Sequence, residues 1–108
     1  MKKKEYSIAT VDGAVKVSGY VFKYGVLRIG FDRRASGRWA ATELKTGKLV
    51  HFGERSMKEE INHAFEILTN HYSAVKRTEE LTEDLNPGID YDYVRYTCRP
   101  RVAAFTEC

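Results

Sequence analysis

Long hydrophobic runs are missing from this chain. Its apolar stretches last only a few residues, far short of the roughly 20 needed to cross a bilayer. Cysteine is scarce: Cys98 and the final residue, Cys108, are the only two. Such a pair makes a poor disulfide framework, and the expectation is reduced thiols in a cytoplasmic protein. The basic start "MKKKEYS" is not followed by the apolar segment of a secretory signal, so residues 1–5 are expected to form a solvated tail. Catalytic signatures are absent as well. There is no Gly-x-Ser-x-Gly, phosphate-binding loop, dinucleotide fingerprint or zinc-protease helix motif. The expectation is therefore a protein that is not an enzyme and carries no cofactor.

What is present suits one globular domain. In 108 residues, 43% are hydrophobic and 31% charged, which argues against global disorder. The net charge of +3 hides an imbalance: residues 1–50 hold 11 basic and 4 acidic side chains, residues 51–108 hold 7 and 11. A split of this kind fits a charged partner, or two halves of a fold set against each other.

Alternating residues in "AVKVSGYVFKYGVLRIGFDR" predict a hairpin. A turn at Tyr24 and Gly25 pairs Phe22 with Leu27 and places Tyr20, Phe22, Leu27, Ile29 and Phe31 on one face. A longer loop is also compatible with this turn chemistry. The same register sets Gly19 opposite Gly30, a pairing that suits either sheet coiling or close approach of a ligand. "RRASGR" reads as a solvated basic loop, although Arg-Arg-x-Ser also fits a basophilic kinase pattern. A second hairpin, turning at Thr46 and Gly47, puts Trp39, Ala41, Val50 and Phe52 toward the core. Strands and hairpins thus occupy residues 14–53.

Ser56 followed by Glu59 forms a capping-box pattern and opens a helix over residues 57–80. Met57, Ile61, Ala64, Phe65, Leu68, Tyr72 and Val75 give it one apolar stripe. Asn86-Pro87-Gly88 breaks the chain direction. Residues 89–99 alternate like a further strand, and residues 100–108 read as a tail. The predicted fold is α+β: an antiparallel sheet of four to five strands packed on one long helix.

Three groups of side chains are candidates for chemistry or contact. His63 and His71 are eight positions apart, about 80° around a helix, and lack the spacing that puts two ligands on one ion. No metal site is expected. Glu79, Glu80, Glu83, Asp84, Asp90 and Asp92 form an acidic run with no basic residue among them. Together with Tyr91 and Tyr93 they are the candidate partner-binding set, since aromatics beside charges commonly anchor interfaces. The bland alternative is a solvated helix end, yet acids there oppose the helix dipole. Lys23, Arg28, Arg33, Arg34 and Arg38 are the candidate contacts for nucleic acid, through phosphates rather than bases. Val15, Val17, Val21 and Val26 leave apolar surface on the second sheet face, which predicts a homodimer with residues 89–99 at or near its contact.

Residues 39–68, "RWAATELKTGKLV" leading to "SMKEEINHAFEIL", resemble small accessory proteins of phages, plasmids and other bacterial mobile elements. In those proteins a W-x-x-T…T-G hairpin often runs into a capped helix. The population includes inhibitors of host defence, anti-CRISPR proteins among them. The resemblance implies an inhibitor or modulator of a host macromolecular machine, with a protein or ribonucleoprotein partner and no membrane. It covers under a third of the chain and assigns no individual residue.

Overall fold

A computed structural model describes residues 2–91. Five strands run in chain order: β1 (Lys4–Thr10), β2 (Gly13–Tyr24), β3 (Leu27–Arg33), β4 (Trp39–Glu43) and β5 (Lys48–Gly53). One helix follows, α1 (Met57–Glu80). Each strand pairs antiparallel with the next, so β1 and β5 are the outer strands of a single meander. The α+β expectation holds, including the helix boundaries.

The apolar stripe of α1 packs on the face built by Phe22, Tyr24, Leu27, Ile29, Phe31 and Ala41. Each fully buried Leu, Ile or Phe there contributes about 1.5–3 kcal/mol. Ser56 caps the helix by accepting the N–H of Glu59 at 3.3 Å, while its hydroxyl donates to the Glu59 carboxylate at 3.0 Å. Within α1 the backbone leaves helical geometry at His71 (φ −125°, ψ 15°), which kinks the helix.

The other sheet face is not open. Tyr6, Ile8, Val21 and Leu44 form a second core, and Val21 is fully buried where partial exposure is expected from sequence. The cause is β1. It begins at Lys4, inside the stretch expected as a tail, and lays Tyr6 and Ile8 over that face. The first part of β2 pairs with β1 and the last five residues with β3, and Gly19 lies at the changeover. A Cβ at Gly19 would strike the Phe31 carbonyl, and one at Gly30 would lie 2.5 Å from the Tyr6 ring. These glycines admit a bend and an aromatic ring of the same chain. They are not paired with each other: Gly30 faces Val21.

Both hairpins differ from their predicted registers. Tyr24 pairs with Leu27, so the β2–β3 loop is Gly25 and Val26, with Gly25 at φ +62°. Glycine at the first loop position supplies the positive φ that a tight hairpin requires. The slip is two residues, which preserves the predicted faces. In the second hairpin Glu43 pairs with Lys48, giving a four-residue loop, 44–47. Leu44 belongs to that loop because it is drawn into the second core, where its N–H donates to the Arg28 carbonyl at 2.9 Å. A bulge next to Ala41 and Thr42 then shifts β5, so Phe52 pairs with the buried Ala40 and is 39% exposed. Phe52 does not face the helix as expected; Val50 does.

After α1 the chain crosses to the β1 side. Neither Ile89 nor Tyr91 is in a strand; the remainder of the predicted 89–99 strand and the 100–108 tail, with Cys98 and Cys108, lie outside the described residues. Among the described residues no helix is long and apolar enough to cross a membrane.

Candidate functional site

The two outer strands receive different treatment from the rest of the chain. On β1, Ser7 N–H donates to the Asn86 side chain at 2.6 Å, and the Asn86 amide returns a bond to the Ser7 carbonyl at 2.9 Å. The same amide reaches the Leu44 carbonyl at 2.6 Å, and Ala9 N–H donates to the Gly47 carbonyl at 2.9 Å. Asn86 is buried, and its side chain is satisfied by three backbone groups. At Ser7 and at the N–H of Ala9, the outward edge of β1 is therefore satisfied from within the chain.

On β5 no such cover is found. Among the described residues, no hydrogen bond outside the β4–β5 ladder reaches the backbone of residues 49–53. Leu49 is 57% exposed, and Phe52, also on this strand, has Arg38 over its ring at 5.5 Å. The turn that starts β5 is firmly built. Both Glu43 carboxylate oxygens accept backbone N–H groups, from Lys45 and Thr46, each at 2.9 Å. Between β5 and the second half of α1 lies an open cavity of about 350 Å³, walled by Leu49, Val50, Ile67, Leu68 and Val75.

A second cluster anchors the other end of β5. Glu60, buried in the first turn of α1, accepts from His51 Nε2 at 3.0 Å and Arg55 Nε at 2.9 Å. Gly53 makes this possible, because any Cβ there would overlap the Glu60 carboxylate. His63 lies against His51 with ring centroids 4.6 Å apart. Spacing along α1 links His63 only to His71; the contact with His51 depends on how β5 meets the helix. Among the described residues no group of three or more His, Cys, Asp or Glu is placed to hold a metal ion.

The predicted acidic set is dispersed. Glu79 pairs with Lys45 at 3.5 Å and Glu80 with Lys76 at 3.6 Å. Asp84 takes a two-pronged contact from Arg28, at 2.8 and 3.0 Å. The Asp90 carboxylate accepts the N–H of Tyr91, and Glu83 is exposed. Asp92 and Tyr93 lie outside the described residues.

Most of the predicted basic set serves the fold. Arg28 also donates to the carbonyls of Asn86 and Ile89 at 2.9 and 2.7 Å, holding the segment that covers β1. Arg34 is bound to buried Asp32 at 2.5 Å. Lys23 lies over the Tyr91 ring at 5.1 Å, and Arg38 lies 3.6 Å from Glu54. Arg33 is exposed and bonds the Gly37 carbonyl at 3.3 Å. Opposite the helix, Tyr6 donates to Asp32 at 3.2 Å. Burial, reinforced by the Asp32 carboxylate, pushes the Tyr6 hydroxyl well above the ordinary phenol range.

These elements define a small α+β meander with one closed and one open sheet edge. No known family, curated protein or solved structure matches the chain.

Proposed function

We propose that this is a non-enzymatic binding protein, an inhibitor or modulator of a host macromolecular machine in the bacterial cytoplasm, and that it engages a protein partner along β5. The observation that carries the reading is the uncovered edge of residues 49–53 in a chain that bonds Ser7 and the N–H of Ala9 on its other edge internally. Unpaired strand edges are templates for a further strand, and main-chain pairing at such an edge is a common mode of protein recognition. The mobile-element resemblance, over residues 39–68, falls on β4, β5 and the first half of α1, the elements that form this edge. The acidic set supports the reading less, since Glu79, Glu80 and Asp84 have partners within the chain. Nucleic-acid binding is likewise less favoured, because Arg28 and Arg34 are committed to internal contacts.

The test is affinity capture from a bacterial lysate with the wild-type chain and with Phe52→Lys. A charged residue on the exposed edge disfavours strand addition. The expected result is a protein retained by wild type and lost from the variant. A partner held equally by both, or retention that nuclease treatment abolishes, overturns the reading.

A further inference from the structure

The cavity between β5 and α1 gives the partner a sequence requirement. A strand added to β5 would carry alternate side chains on the helix side of the sheet, directly over this cavity. Its walls are apolar, and its volume of about 350 Å³ is at the low end of the roughly 300–1,000 Å³ of ligand pockets. That suits one large side chain rather than a cofactor. The charges at the mouth are unequal. Glu43 is buried and already accepts two N–H groups, and Lys45 is paired with Glu79. Lys48 is exposed and, among the described residues, has no ion pair. Of these charged side chains, Lys48 is the one exposed to a partner.

We propose that the cavity is a side-chain pocket for an extended peptide segment of a partner protein, and that this segment places a Leu, Ile or Phe in the pocket. An Asp or Glu two positions away, on the same face of the added strand, meets Lys48. The proposal rests on the reading of β5 as a pairing edge and adds the chemistry of what pairs there.

Selection from a displayed library of random heptapeptides tests it, with the full chain immobilised as wild type, Ala74→Trp, Lys48→Glu and Phe52→Lys. Ala74 lines the cavity from an exposed helix position, so tryptophan there fills the space without touching the core. Circular dichroism of each variant checks that the fold is kept. Wild type is expected to enrich peptides with a large apolar residue two positions from an acid. Ala74→Trp is expected to bind them at least tenfold more weakly, and Lys48→Glu to exchange the acid preference for a basic one. No enrichment, enrichment without that pattern, or binding indifferent to Ala74→Trp overturns the pocket. Peptides weakened by Phe52→Lys but not by Ala74→Trp overturn the pocket alone and leave edge pairing standing. Peptides indifferent to both overturn both.

Discussion

Along β1, the N–H and carbonyl of Ser7 are bonded to Asn86 and the N–H of Ala9 to Gly47; along β5, residues 49–53 find no counterpart beyond β4 among the described residues. The two strands belong to one sheet and differ in what passes beside them. The segment after α1 runs past β1, held by Arg28 to Asp84, Asn86 and Ile89. β1 meets the chain at Gly47, just before β5 starts, but among the described residues nothing hydrogen-bonds to the outer backbone of residues 49–53, although α1 makes its most extensive sheet contact with β5. A helix can cover a sheet face without satisfying a sheet edge, because the backbone groups of its interior are already paired. Only a strand, a loop or a well-placed side chain can do that, and the chain places such a side chain on one edge.

The largest expected effect is at the closed edge. Asn86→Ala leaves the N–H and carbonyl of Ser7 and the carbonyl of Leu44 without their partner, at a cost of about 3 kcal/mol in urea unfolding. A loss under about 1 kcal/mol would mean that water replaces Asn86 freely, and the contrast between the edges would dissolve. Next is Gly53→Ala, which forces the Glu60 carboxylate away from His51 and Arg55 and is expected to destabilise by about 2 kcal/mol. Thermal unfolding measures it, and an unchanged midpoint would refute the packing of β5 on α1.

Tyr6→Phe probes the second core and is expected to cost about 1 kcal/mol at neutral pH through the lost bond to Asp32. Its sharper signature is at alkaline pH. The Tyr6 hydroxyl is raised in the folded state, so from about pH 10 upward the unfolded chain loses this proton first. The stability that Tyr6 contributes is complete below that pH and declines above it. Unfolding curves between pH 9 and 12 should therefore fall less steeply for Tyr6→Phe than for wild type, and parallel curves would count against a buried phenol. The smallest effect on stability belongs to the open edge. Phe52→Lys should change it by about 0.5 kcal/mol, despite abolishing partner capture.

The sequence is most legible where local rules and tertiary packing agree. α1 is marked by Ser56 and Glu59 at its start and by a stripe that ends in contact with the sheet. The faces of β2 and β3 survive a wrong register because a two-residue slip preserves side-chain parity. Phe52 is misread because the bulge beside Ala41 and Thr42 adds one residue to β5 and reverses that parity. β1 is hidden by the lysines at and before its start, although Tyr6 and Ile8 already alternate within it. The edges are hardest to read. Asn86 stands beside Pro87 and Gly88 as an ordinary turn residue, and only the long-range return of the chain makes it the cover of Ser7. The contact between His51 and His63 has the same origin, since no spacing rule joins a strand residue to a helix residue twelve positions on.

Amide hydrogen exchange at single-residue resolution tests the central contrast most directly, first on the free protein and then with a peptide enriched on wild type. In the free protein, Ser7 and Ala9 should exchange near the rate of global unfolding, while the amides of residues 49–53 that point away from β4 exchange orders of magnitude faster. Peptide should slow that fast set and leave Ser7 and Ala9 unchanged. Equal protection of both edges in the free protein, or protection on binding that appears anywhere except β5, would contradict the account.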